Sequence, residues 1–247
     1  MWKVYKWNGH YIMGELVSKH STESAAIKSA EKKIKFRPFL VKEQKLLLMA
    51  QNSNDKSEMI QAIAQIIENC TFGKVKGSEA YMFDLEYIFL QIRRKSVGDK
   101  IDLNVLCEDD GETRVPVEVN LKDVEVQVGD NHTNEIQLNK DVKIIMGYPT
   151  LETAGQLKED IEKDESLFTG IKHSIFQIID GDTIYNKVDM EDKELDEFVE
   201  SMSQKNLNDI LDFFKTMPKL AHTIKFTNPK TKKKNKVTVE GIENFFT

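Results

Sequence analysis

Between Lys100 and Met146 the apolar residues recur at every second position, whereas on either side they recur at every third or fourth. A helix buries a stripe of period 3.6 and a strand a face of period two, so this grouping of strands between helical segments favours an α+β architecture over a wound α/β sheet. The period-two runs are Ile101, Leu103 and Val105, then Val115, Val117 and Val119, then Val124, Val126 and Val128. Asp109-Asp110-Gly111 and Asn120-Leu121-Lys122-Asp123 separate them, as expected of an antiparallel meander, and Ile136–Leu138 and Val142–Met146 add two further strands. Pro116 has no N–H to give a ladder, which puts its strand at an edge.

The preceding segment is helical. Val41 to Gln51 reads as one helix; Met59, Ile63, Ile66 and Cys70 form the stripe of a second, opened by Asp55 with Glu58 three residues on; Met82, Leu85, Phe89 and Ile92 mark a third. After Pro149 the helical spacing returns in four stripes: Leu151, Ala154, Leu157 and Ile161; Ile171, Ile175 and Ile178; Leu195, Phe198, Val199 and Met202; and Leu207, Ile210, Leu211 and Phe214, the last stopped at Met217-Pro218. His222–Phe226 and Lys236–Val239 predict a closing hairpin, followed by a terminal helical turn.

At the start, strand-like runs on both sides of Asn8-Gly9 predict a hairpin, since both residues tolerate positive φ. Ser21-Thr22-Glu23 then supplies a helix N-cap ahead of Ile27, Ala30 and Ile34 on one face. The expected organisation is an N-terminal ββα module over residues 1–34 and a main domain over 35–247. Within the latter, helices occupy 40–94, a small antiparallel sheet 100–146, helices 150–216 and a C-terminal hairpin 221–247.

Reactive chemistry is hard to place on this sequence. The five histidines, His10, His20, His132, His173 and His222, form no HxH or HExxH spacing, and the glycines never lead into a phosphate-cradling GK[ST]. Cys70 falls on a buried helical stripe and Cys107 at a strand end, and there is no CxxC, so two packed thiols in a reducing cytoplasm are expected. No apolar run reaches the roughly 18–20 residues of a bilayer span, and no basic-then-apolar leader opens the chain. A formal charge of −6 argues against general nucleic-acid affinity.

What remains are candidates for contact. The basic run Lys230-Thr231-Lys232-Lys233-Lys234-Asn235-Lys236 occupies the predicted hairpin loop and contains no aromatic residue to stack a base, so it reads either as a solvated tip or as a grip for an acidic protein partner. Lys232, Lys233 and Lys234 are its centre. Phe36, Arg37 and Phe39 could form an anchor in which a guanidinium stacks and hydrogen-bonds at an interface; alternatively the phenylalanines pack on the first helix with Arg37 outward. Arg93 and Arg94 are further anchors, and Phe245-Phe246 is either a core plug or a dock for a neighbouring subunit.

The ordered segments Phe36-Arg37-Pro38-Phe39 with Val41-Lys42-Glu43, Ile66-Ile67-Glu68-Asn69-Cys70, Leu85–Leu90 with Arg93-Arg94-Lys95-Ser96-Val97-Gly98, Tyr148-Pro149-Thr150, and Phe213-Phe214 to Pro218 with Glu240-Gly241 and Phe245-Phe246 carry a likeness that covers residues 34–246. In this order they resemble the baseplate hub assembly proteins of T-even-like contractile-tailed bacteriophages. The resemblance implies a non-enzymatic structural or assembly component of the central hub, made in the host cytoplasm and carried in the tail baseplate of the virion. Its partners would be other hub proteins and, as a further candidate, the tape-measure protein, with no membrane, no cofactor, and a homo-oligomer left open. The alternative is an assembly chaperone or catalyst that leaves before the virion is finished. Some relatives, the resemblance implies, carry cysteine pairs at two hairpins resembling zinc knuckles. Here the first position keeps only Cys107 before Glu108-Asp109-Asp110-Gly111 and the second reads Thr227-Asn228-Pro229-Lys230, so no metal is expected and the hairpins should hold by backbone pairing and packing.

Overall fold

A computed structural model describes residues 4–7, 10–13, 15–16, 34–53, 55–151 and 166–242. The chain divides into two compact units, one built from Met1–Gln127 with Pro218–Thr247 and the other from Val128–Met217. Among the described residues, no helix is long and apolar enough to cross a membrane.

The first unit begins with β1 (Val4–Trp7) and β2 (His10–Met13), antiparallel with Trp7 opposite His10, the register expected around Asn8-Gly9. β3 (Glu15–Leu16) then pairs with β4 (Ile34–Lys35). Ile34, expected on a helix face, is therefore a strand residue opposite Leu16, and the rest of that expected helix lies outside the described residues. Three helices follow: α1 (Val41–Ser53), α2 (Lys56–Cys70) and α3 (Met82–Ser96). Helix α2 starts where Asp55 accepts a hydrogen bond from the Ser57 N–H at 2.7 Å, satisfying one orphan donor of the first turn. Of its predicted stripe, Ile63, Ile66 and Cys70 are buried and Met59 is half-buried, and Ile67 joins them in the core with Leu85, Phe89, Leu90 and Ile92 of α3. Complete burial of each such aliphatic side chain contributes about 1.5–3 kcal/mol. Close packing also fixes Gly77, where a Cβ would stand 2.7 Å from the Ala64 Cα.

The sheet strands are shared out differently from a single meander. β5 (Lys100–Leu106) pairs with β6 (Arg114–Asn120), and β6 has that one partner, which places Pro116 on an edge opposite Asn104. β7 (Glu125–Gln127) leaves its sequence neighbours and pairs with β12 (Lys219–Thr227), whose other side carries β13 (Lys234–Glu240). β7 therefore completes a three-stranded sheet formed with the last hairpin, and its Val126 lies opposite the buried Leu220.

In the second unit, β8 (Glu135–Gln137) and β9 (Val142–Met146) belong to a four-stranded antiparallel sheet in the order β11-β10-β9-β8. Its other members, β10 (Ile175–Asp180) and β11 (Thr183–Asn186), correct the helical reading of Ile175 and Ile178. Helix α4 (Ser166–Ser174) ends just before Ile175, and the β-branched run beyond it is a strand turning at Gly181, whose φ is +55°. Of the predicted stripe Leu151–Ile161, only Leu151 is described. Helices α5 (Asp192–Glu200) and α6 (Gln204–Thr216) complete the unit, each opened by a reciprocal capping box, Glu191 with Glu194 and Ser203 with Asn206. Met217 caps α6 immediately before Pro218, as the sequence predicts.

Candidate functional site

Two loops of the first unit meet: the turn after β5 and the turn between β12 and β13. Each is folded locally by its own side chains. In the first, Asp110 accepts hydrogen bonds from the Thr113 hydroxyl (2.6 Å), the Thr113 N–H (2.9 Å) and the Glu112 N–H (3.1 Å), and Gly111 takes a φ of +67° that a side chain would resist. In the second, the Asn228 side-chain carbonyl accepts from the Lys230 N–H at 2.8 Å, while Lys232 N–H donates to the Asn228 backbone carbonyl at 2.9 Å. That bond holds Lys232 in the left-handed region at φ 63°, a conformation uncommon outside glycine.

The amide of Asn228 then ties the loops together, donating to Asp109 and to Asp110, each at 2.9 Å. Asn235 donates to Asp109 at 2.8 Å and accepts from its N–H at 3.2 Å, and the Thr231 hydroxyl donates to the other Asp109 oxygen. Asn228 has no exposed surface and Asn235 is buried, while Thr231 approaches Asp109 from the exposed side. The electrostatics follow from the donors. Hydrogen bonds from Thr113, then Asn228 and the Glu112 N–H, hold the Asp110 carboxyl well below its ordinary range, and those of Thr231, Asn228 and Asn235 lower that of Asp109. Cys107, buried beside them, is raised by desolvation and then by the two carboxylates.

The Cys107 sulfur and one oxygen from each of Asp109 and Asp110 lie within 4.8 Å of one another. This set does not fit a zinc knuckle. It offers one sulfur, its thiol is pushed toward the neutral form, and both carboxylates already accept amide and hydroxyl hydrogens. A carboxylate–amide knot joins the hairpins, an addition to the backbone pairing and packing expected from sequence.

The knot fixes the base of the basic run. Lys230, Lys232, Lys233, Lys234 and Lys236 are all exposed around it. Thr231 and Asn235, the uncharged residues of the run, are the ones turned onto Asp109.

The other candidates are dispersed. Phe36 is 2% exposed and part of the core, while Phe39 is half-buried with its N–H donating to Ser96 Oγ at 2.9 Å. Arg37 is turned inward, against the outward alternative: it pairs with Glu43 at 2.9 Å, and its N–H donates to the Cys70 carbonyl. Burial opposes ionisation of Glu43, but the Arg37 and Leu40 hydrogen bonds outweigh it and hold the carboxyl low. Burial also drives the nearby Cys70 thiol up to about 11, an inert state. Arg93 donates to the Gly98 carbonyl at 3.3 Å, and Arg94 bonds Asp99 at 3.0 Å and Gln91 at 2.5 Å. Phe245 and Phe246 lie outside the described residues.

Sequence reasoning missed His132. In the second unit its ring stacks on Phe213 at 5.3 Å, Nδ1 lies 2.9 Å from Thr216 Oγ1, and Nε2 lies 2.9 Å from the Tyr148 hydroxyl. The isolated motifs Tyr148-Pro149 and Phe213-Phe214 are thus joined in one aromatic cluster, Tyr148 stacking on Phe213 at 5.6 Å.

No curated protein and no solved structure matches the chain. The sequence model of the T4 bacteriophage base plate protein family matches residues 19–247, which extends the likeness upstream of residue 34 and leaves residues 1–18 outside it. With that match running over most of its length, the chain belongs to the T4 bacteriophage base plate protein family, and this membership implies a structural or assembly role in the phage base plate.

Proposed function

We propose that this protein is a component of the central hub of the base plate and acts by fitting against other base plate proteins, without turnover. The carrying observation is the knotted basic tip. Asn228 and the two aspartates hold a loop whose lysines project from a fixed base, so little ordering entropy is lost when an acidic partner docks. Among the described residues, Lys232, Lys233 and Lys234 make no ion pair, which leaves their charge available to a partner. Arg93, Arg94 and Phe39 are secondary candidates, and the other hub proteins and the tape-measure protein are the proposed partners. The inert environments of Cys70 and Cys107 support the non-enzymatic reading.

The test is complementation of a phage lacking this protein with the triple variant Lys232→Glu, Lys233→Glu, Lys234→Glu. Loss of complete base plates, with the variant still folded by circular dichroism, is the expected result; full plaque yield removes the tip from the mechanism. Quantifying the protein in purified tails separates a permanent hub part from the second reading, a transient assembly factor, for which it would be absent from finished virions yet required for their formation.

A further inference from the structure

The second unit carries an edge that complements the basic tip in charge. β11 is the outermost strand of its sheet, paired with β10 alone, so its outer N–H and C=O groups face away from the ladder. Natural edge strands are usually blunted by lysine, proline or a covering loop, and β11 (Thr-Ile-Tyr-Asn) has none of the first two. It exposes apolar surface instead: Ile184 is 57% exposed, Tyr185 46% and the following Val188 90%. Exposed carboxylates flank this strand at both ends, Asp180 and Asp182 before it and Asp189, Glu191 and Asp192 after it. Among the described residues, Asp180 and Asp182 make no ion pair.

β13 is the mirror case. It is the outermost strand of the three-stranded sheet, paired with β12 alone, and its exposed positions Lys234 and Lys236 continue the basic tip. β11 against β11 confronts carboxylates with carboxylates, whereas β13 carries Lys234 and Lys236 toward the tip and ends on Glu240, which is ion-paired with Lys219, so the charge it offers a partner strand is that of the lysines. Pairing β11 of one molecule with β13 of another satisfies both free edges and brings the carboxylates at one end of β11 to Lys234, Lys236 and the tip.

We infer that the acidic-flanked edge β11 of one copy of this chain binds the basic edge and tip around β13 of a second copy, forming a heterologous, salt-sensitive contact. It deepens the reading of the tip as a contact surface by naming an occupant. A strand of four residues gives a ladder of about 13 Å, so the hydrogen-bonded area is small and the charges steer the encounter and set its register. A head-to-tail contact leaves one free tip and one free edge on every open assembly, so association continues beyond the dimer, into a ring or a filament.

The experiment uses full-length chains and sedimentation velocity over a range of concentrations. The wild type should associate with concentration, and raising salt from 50 to about 500 mM should weaken that association by roughly tenfold or more. One variant reverses the tip (Lys232→Glu, Lys233→Glu, Lys234→Glu) and another the edge (Asp180→Lys, Asp182→Lys, Asp189→Lys); all six positions are exposed, and circular dichroism verifies the folds. Each variant alone should be monomeric. Their equimolar mixture sets an intact tip against an intact edge, and a reversed tip against a reversed edge, so the mixture should associate although neither variant does alone. A monomeric wild type at every concentration, self-association surviving in either variant, or a mixture that stays monomeric overturns the contact. Should the tip variant also block base plate assembly while the wild type stays monomeric, the tip reading stands and the self-contact falls.

Discussion

Asn228 and Asp109 stand 119 positions apart in sequence and 2.9 Å apart in space, with the amide of one donating to the carboxylate of the other where Asn228 has no exposed surface. Two hairpin loops that backbone pairing leaves separate are held by this side-chain bond and its companion to Asp110. Because every donor and acceptor of Asn228 is used, its removal orphans several groups at once.

Asn228→Ala should therefore lower the stability of the first unit by about 1–3 kcal/mol, the cost of leaving buried polar groups unsatisfied. Urea titration followed by near-ultraviolet circular dichroism would show an earlier midpoint. Asn228→Asp, nearly the same shape, should be worse than Asn228→Ala at neutral pH, since a third carboxylate would face Asp109 and Asp110. An unchanged midpoint in both variants would show that the loops are held by the strand pairing alone.

Acid should loosen the same knot. Asp109 and Asp110 have carboxyl groups held below their ordinary values in the folded chain, so the stabilisation they contribute is complete above the unfolded pKa of about 3.9 and is lost as the pH falls through their folded values. Between pH 5 and pH 3 the urea midpoint of the wild type should fall more than that of Asp110→Asn, which has no carboxyl to titrate there. Equal falls in the two proteins would assign the acid sensitivity to other groups.

Much of this architecture was legible in the sequence, and what was not has identifiable causes. Helices α1, α2 and α3 announce themselves because Met59, Ile63, Ile66 and Cys70 need only local spacing to declare a buried face. Ile175 and Ile178 misled because a separation of three suits a helix stripe, whereas their strand state is decided by partners elsewhere, Met146 and Ile144 on β9. The departure of β7 to β12 is likewise tertiary, since the nearest period-two run in sequence, β6, was the simpler partner. The basic run could be read directly, but not what fixes it. Asn228 looked like any turn asparagine, and the only pointer to its partner was the resemblance, which named both hairpins without indicating that amide and carboxylate groups join them.

Neither thiol should react in the folded chain. With Cys70 pushed up to about 11 by burial, about 0.1% of it is thiolate at pH 8, far below the fraction for an ordinary cysteine, and Cys107 is likewise raised and buried. Treatment with an aromatic disulfide reagent should release almost no chromophore until guanidinium is added, and then two equivalents. Rapid labelling of one cysteine in the native protein would contradict the burial of that site and reopen the question of a reactive group.

His132 should make the second unit sensitive to mild acid. The Thr216 hydroxyl donates to the Asp212 carbonyl at 2.7 Å, which leaves its oxygen to accept from Nδ1–H, so Nε2 is the nitrogen that accepts from the Tyr148 hydroxyl. Burial lowers the pKa of this imidazole, and a histidine depressed in the folded state binds its proton more readily when unfolded. Stability is then complete above the unfolded pKa of about 6.5 and declines as the pH falls toward the folded value, opposite in sign to a histidine paired with a carboxylate. The His132 ring protons should titrate below pH 6.5 by NMR. His132→Gln, which retains an acceptor for Tyr148 but cannot charge, should flatten the loss of stability between about pH 6.5 and 5. A midpoint above 6.5 would mean that the imidazolium is favoured, and the aromatic stack on Phe213 would then have to be read as a cation–π contact.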